Sequence, residues 1–329
     1  MKKAFITGIT GQDGSLLAEL LLSKGYHVHG LIRECSFVKQ NSNENLHGLL
    51  DRLNQSFFLH SGDINNKDIL QNILLKVLPD EIYLLAGQSN VYKSFEEPEL
   101  TFRDNSLSII VFLEILRTIK KDIRVFFASS SEVFGGSTIK PQDENTPMNA
   151  LNPYGLSKIF SMNLIKIYRE NFGLHIVNGI LYNHESPRRT ADFVTKKVCQ
   201  SVAQIKARKK HALKMGKLDI YRDWGDARDF VKGMWLSLQK DYSDDYIFAT
   251  GKLHSLENLL QTAFACADLN WRDYYQYDKS FDKPMEKILL CGNPQKAINN
   301  LGWRIENSFE KLIKDMVSYE MSIEKLKNF

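Results

Sequence analysis

Short apolar runs alternate with longer stretches of helical spacing through the first half of the chain. KKAFITG, HVHGLI, FFLHSGD, EIYLLAG, RVFFASS and HIVNGIL read as strands. Between them, SLLAELLLSKG, DILQNILLKVLP, SLSIIVFLEILRTI and YGLSKIFSMNLIKIYRENFG repeat apolar residues with the period of a helix. Alternating β and α elements predict an α/β fold, a parallel sheet covered on both faces. Sheets of this kind bind ligands beyond the carboxyl ends of their strands, where the strand order reverses.

After about Ile180 the rhythm changes. Helical stretches near residues 193–208, 226–239, 256–266 and 309–317 are separated by short strands and loops. Residues 1–180 are therefore expected to form the sheet domain, with a segment near 223–250 returning to it. Residues 181–329 are expected to supply mainly a smaller, partly interleaved lobe. The segment Asn41–Asn45 reads as a polar loop.

Composition narrows the class. Of 329 residues, 43% are hydrophobic and 25% charged, enough to bury a large core in a soluble globular protein. The net charge of +4 is interspersed, which argues against nucleic-acid binding but leaves room for a basic pocket. Cys35, Cys199, Cys266 and Cys291 form no CxxC pair and read as free thiols of a reducing compartment. The opening MKKAFITGITGQDGS has no signal-peptide core, and no apolar stretch nears the ~18 residues that span a bilayer. A cytoplasmic location without a membrane partner is the expectation. His184 and His211 have no His/Asp cluster beside them, so no metal site is expected.

The first strand runs into Gly8-Ile-Thr-Gly11-Gln12-Asp13-Gly14 and then a helix. Glycines there permit a tight turn and let the backbone approach a pyrophosphate at the positive helix end. This is a dinucleotide site of the Rossmann type, in the required strand–turn–helix context. The second strand ends in Arg33 rather than an acidic residue, so NADP is favoured through a 2′-phosphate pairing. Glu34 follows and would repel that phosphate, which leaves NAD open. Asp63 and Ile64 after the third strand are placed to meet the adenine, and Ala86 and Gly87 after the fourth are small enough to admit the cofactor.

Two further stretches carry chemistry. Tyr154 and Lys158 in PYGLSK are four apart and share a helix face. An ammonium there is expected to lower the phenol's pKa, making a base for a sugar hydroxyl. The strand RVFF ends in ASSSEVFG, so Ser130, Ser131 and Glu132 would face the same crevice.

With these motifs in place the chain resembles the extended short-chain dehydrogenase/reductases, and within them the GDP-mannose 4,6-dehydratase family. GITGQDGSLLAELLLSKGYHVHGLIR, PDEIYLLAGQSNVYKSFEEPE, LYNHESPRR, FVTKKV and RDWGDARDFVKGMW carry the resemblance over nearly the whole length. It implies that Glu132 removes the C5 proton of a 4-keto sugar and returns it to the departing hydroxyl. It implies that Ser130 bonds the C4 oxygen beside Tyr154, with Ser131 nearby. Asn183, Lys197 and Arg222 would approach the diphosphate and ribose, and Gln88 and Ser89 the sugar. His184 and Arg189 would lie at the cofactor, with Arg188 near the mouth. Lys283 stands where the family commonly has an arginine on the nucleotide, and ECSFVKQNSNEN departs from the family's loop after Arg33. GDP-mannose and a GDP-manno-heptose therefore both stay open as substrates. So do a 4-keto-sugar reductase or epimerase, and a cofactor-binding protein without turnover. A homodimer through the Tyr154 helix is the minimum expectation, and a homotetramer stays open.

Overall fold

In the computed structural model, which describes residues 1–33, 44–119, 122–282 and 289–326, seven strands form one parallel sheet. The first six are β1 (Lys3–Thr7), β2 (His27–Ile32), β3 (Phe57–Ser61), β4 (Glu81–Leu84), β5 (Arg124–Ser130) and β6 (Ile176–Leu181). Small strands follow: β7 (Asn183–Glu185), β8 (Leu213–Met215), β9 (Tyr221–Arg222) and β10 (Trp224–Asp226). The last are β11 (Asp245–Phe248), β12 (His254–Ser255) and β13 (Tyr275–Tyr277). The main sheet has the order β3-β2-β1-β4-β5-β6-β11, so the strand order reverses between β1 and β4. That doubly wound arrangement opens a crevice at the carboxyl ends of those two strands.

Both faces are covered. Helices α1 (Gln12–Ser23), α2 (Lys67–Val77), α3 (Ser108–Thr118) and α4 (Pro153–Phe172) are joined by α5 (Val194–Lys206), α6 (Ala227–Ser237), α7 (Leu256–Ala265) and α8 (Phe309–Leu326). Leu17 and Leu21 of α1 and Phe230 and Met234 of α6 pack on one face, with Tyr83, Phe126 and Trp303. Leu70 of α2, Phe112 of α3 and Ile165 of α4 pack on the other, with Phe5 and Val125. Sandwiched in this way, β4 and β6 are buried at every residue, as parallel strands between two helix layers must be. A third core joins α5, α7 and α8 through Val202, Phe264 and Ile313.

Asp223 ties this outer lobe to the sheet. Its buried carboxylate accepts from Thr250 N at 2.8 Å, Thr250 Oγ1 at 2.6 Å, Gly251 N at 2.9 Å and Gly292 N at 3.2 Å. One side chain thus fixes the turn after β11 and the 292 loop together.

The apolar pattern locates the first six strands, while β11 is too short and too close to a glycine turn to stand out. Helix α8 runs on to Leu326, beyond the end read from sequence, because its later turns bury Glu320 against Lys196. Residues Glu44–Arg52 form 3-10 turns where a polar loop was expected to end. Glu34 and Lys283 lie outside the described residues.

Candidate active site

The glycine turn sits where the strand order reverses. Gly8 has φ +71°, a conformation that side-chain-bearing residues rarely adopt, and its amide turn closes through Gly11 N to Gly8 O at 2.9 Å. A Cβ on Gly14 would stand 2.2 Å from Gly8 O, so only glycine lets α1 start this close to β1. Gly11 at the N-cap of α1 has no side chain to cap it, so the helix's positive end and its first N–H groups are left for a ligand. This open cradle fits a dinucleotide pyrophosphate. Across it, Thr7 Oγ1 accepts from Leu85 N and Ala86 N, each at 3.0 Å, and so holds the turn after β4 against the end of β1.

Gln12 and Asp13 both bond to the 184–186 segment. Gln12 Nε2 donates to His184 O at 3.1 Å, and its Oε1 accepts from Ser186 Oγ at 2.8 Å. Asp13 Oδ2 lies 2.9 Å from His184 Nε2, and the His184 ring stacks on Phe230 with centroids 4.6 Å apart. Burial works against both charges, yet the pairing outweighs it. Asp13 is held below the ordinary carboxylate value and His184 above the ordinary imidazole value. The 184–189 segment is thereby locked onto α1. Arg188 completes the lock by donating to Ser15 Oγ at 3.0 Å and pairing with Glu19, both on α1. Arg189 pairs with Glu185 at 3.2 Å and stacks 3.3 Å over the Phe193 ring, close enough to Tyr154 to act on its charge.

The polar end of β5 and the start of α4 meet in the same crevice. Ser130 caps the turn Ser131–Phe134, accepting from Glu132 N at 3.3 Å, while Ser131 is buried. Glu132 Oε2 accepts from Asn152 Nδ2 at 2.7 Å. Tyr154 and Lys158 are both buried on the inner face of α4, and Lys158 Nζ donates to Ala128 O at 2.8 Å. The ammonium lies 5.8 Å from the Tyr154 ring centroid.

The expected lowering of the Tyr154 pKa does not occur. Burial pushes the phenol up to about 12, only partly opposed by the hydrogen bond with Ser130. Burial instead falls on the lysine, whose pKa drops to about 7. The reason is geometric: Lys158 is anchored on the Ala128 carbonyl, and its cost of desolvation exceeds its influence on the phenol.

The remaining candidates divide into groups. Arg33 is exposed just past β2, and Gly62 N bonds Ile32 O at 3.0 Å, which sets Asp63 and Ile64 beside it. Gln88 is taken up by its own loop and the short helix Pro98–Phe102, donating to Asn90 O at 2.9 Å and Thr101 Oγ1 at 3.1 Å; Ser89 is exposed next to it. In the outer lobe Lys197 Nζ reaches Lys214 O at 3.3 Å and sits 3.9 Å over the Phe281 ring. Burial, with Lys210 adding to it, lowers the Lys197 pKa. Arg222 Nη1 donates to its neighbour Tyr221 O at 2.8 Å, and Asn183 stands opposite Trp224 in the β7–β10 pair. Asn152 was not among the candidates. Asn before Pro is a helix-start signal, but its reach to Glu132 is a tertiary contact.

A profile of the GDP-mannose 4,6 dehydratase family matches residues 5–316. GDP-mannose 4,6 dehydratase 1 of Arabidopsis thaliana is 41% identical, over 98% of this chain and 91% of its own. The chain belongs to the GDP-mannose 4,6-dehydratase family. The family's fold is shared more widely. A UDP-glucuronic acid 4-epimerase from Bacillus cereus, solved with UDP-glucuronic acid and NAD, has a TM-score of 0.83 at 23% identity. It covers 98% of this chain and 99% of its own. RMD from Pseudomonas aeruginosa, solved with NADPH, has a TM-score of 0.81 at 20% identity, covering 98% of each chain. Among the described residues no helix is long and apolar enough to cross a membrane, and no cluster of three or more His, Cys, Asp or Glu could hold a metal ion.

Proposed function

We propose that this member of the family converts GDP-mannose to GDP-4-keto-6-deoxymannose, with the catalytic work divided among Tyr154, Ser130, Lys158 and Glu132. The observation that carries the reading is Glu132, a carboxylate held beside Tyr154 at the carboxyl end of β5. A 4-keto reductase or a C4 epimerase needs the tyrosine–lysine pair alone; a dehydratase also needs a base for C5. A nicotinamide cofactor with its pyrophosphate on the glycine turn would supply the hydride chemistry, from C4 and back to C6, which no side chain here can do.

Ser130 holds the C4 oxygen and Tyr154 receives its proton. Because burial keeps the phenol near 12, ionisation must be driven by positive charge arriving at the crevice, not by Lys158 alone. Glu132 then removes the C5 proton, made acidic by the new ketone, and delivers it to the C6 hydroxyl as water leaves. One carboxyl acts in turn as base and acid; as hydride reaches C6, C5 takes up a proton that replaces the one lost with water, and Tyr154 gives up the one it took from O4, so the proton count closes.

Arg33 favours NADP as the cofactor, since its guanidinium lies exposed at the end of β2 where a 2′-phosphate would come. Lys197 and Arg222 supply the cations for the diphosphate. Leu156, Phe160 and Ile167 leave an apolar stripe exposed along α4, which supports a homodimer through that helix.

Purified protein incubated with GDP-mannose and NADP tests the assignment. A product lighter by one water with no net change in reduced cofactor supports it. Stoichiometric consumption of NADPH on a 4-keto sugar, without water loss, would replace it by a reductase. Water loss from a GDP-manno-heptose but not from GDP-mannose would move the substrate by one carbon.

A further inference from the structure

Asn152 lies between the two halves of this chemistry. It is 6% exposed and occupies the N-cap of α4, two residues before Tyr154. Its Oδ1 accepts from Gly155 N at 2.8 Å, which fixes which end of the amide is oxygen. The Nδ2 end is therefore a donor, and it meets Glu132 Oε2 at 2.7 Å. A neutral amide in this orientation can give a hydrogen bond to the carboxylate but cannot take its proton. Backbone packing reinforces the link, because a Cβ on Gly155 would stand 2.5 Å from Glu132 O.

Resting on the dehydratase reading above, we propose that Asn152 is a positioning residue that holds Glu132 in register with Tyr154 and commits its Oε2, leaving Oε1 to carry the C5 proton. Among the described residues Oε1 has no hydrogen-bond donor of its own. The captured proton then stays on the oxygen facing the sugar, from which it can pass to the C6 hydroxyl. The same amide fixes the first turn of α4, so the acid–base group for C4 and the base for C5 move as one unit.

Helix capping and carboxylate positioning can be separated, because Asn, Asp and Ser cap about equally well. Asn152→Ser keeps the cap but is too short to reach Glu132. Asn152→Asp keeps the cap and turns a carboxylate toward Glu132. In single turnovers with GDP-mannose, N152S is expected to reduce bound cofactor at the wild-type rate, read at 340 nm. Its loss of water should slow by on the order of 10- to 100-fold, so reduced cofactor accumulates. N152D should be slower still at losing water. In thermal melts of the protein alone at pH 8, N152D should melt a few degrees below wild type, and adding Glu132→Gln should remove that difference.

Wild-type turnover in the same assay reports on the dehydratase reading, while the melts test the Asn152–Glu132 contact whatever the substrate. An N152D variant that turns over like wild type would reduce Asn152 to a cap and overturn the proposal. Equal slowing of cofactor reduction and water loss in N152S would do the same, as would melts of N152D indifferent to E132Q.

Discussion

Lys158 is expected to cost the fold stability through its burial on the inner face of α4. Burial takes its pKa from 10.5 to about 7, and the change Lys158→Met removes the charge while keeping similar volume. Every tenfold change in proton affinity corresponds to about 1.4 kcal/mol, so the charged side chain carries a penalty on the order of 5 kcal/mol. Loss of the 2.8 Å bond to Ala128 O costs the variant about 1 kcal/mol, which leaves a net gain of several kcal/mol below pH 7. In a chain of this size that is a rise in Tm of roughly 5 °C or more. The pH dependence has a definite sign. Below pH 7 folded and unfolded chains are both protonated at Lys158, and the penalty is fully present. Between 7 and 10.5 the unfolded chain binds the extra proton, so wild-type stability rises with pH through that window. Melts of the two proteins without cofactor, at pH 6 to 10, should show the variant well above wild type at pH 6 and the two converging toward pH 10. Turnover of the variant should fall at least about 100-fold. A variant that melts below wild type at pH 6, or curves that run parallel across the range, would show that Lys158 is not desolvated in the way the packing indicates.

Other consequences follow from the same geometry. Gly14→Ala places a methyl 2.2 Å from Gly8 O, so nicotinamide-dinucleotide affinity, measured by fluorescence titration, should fall more than about tenfold while circular dichroism keeps its native form. Asp223→Asn turns an amide N–H₂ toward backbone donors at Gly251 and Gly292, and should lower stability by roughly 2–4 kcal/mol in urea titration. Arg33→Ala should weaken NADPH by about tenfold or more and leave NADH within a factor of a few; equal effects on both would remove Arg33 from phosphate recognition.

Local pattern was enough for much of this fold. Apolar runs bounded by glycine and polar residues mark β1 to β6, and helical spacing marks α1 to α4, because each buries a continuous face. The glycine turn was legible for the same reason: Gly8 and Gly14 answer a backbone constraint that acts over a few residues. What stayed hidden depends on distance in sequence. Asp13 meets His184, and Gln12 meets both His184 and Ser186, across a gap that no local pattern spans. Asn152 could be read as a helix cap, but its bond to Glu132 exists only when α4 packs on the end of β5. The phenol's pKa failed for a different reason. Spacing puts Lys158 on the face of Tyr154, yet burial decides which of the two titrations moves, and burial is a property of the packed sheet and helix.

Glu132 is the residue proposed to make this site a dehydratase with an internal hydride transfer. GDP-mannose carrying deuterium at C4, turned over in ordinary water by wild type and by Glu132→Gln, tests it directly. Wild type should yield a 4-keto-6-deoxy product that keeps the deuterium at C6 and has lost one water. Glu132→Gln should reduce bound cofactor and stop there, with no water lost. Deuterium released from the product, or water loss by the variant at the wild-type rate, would contradict the account.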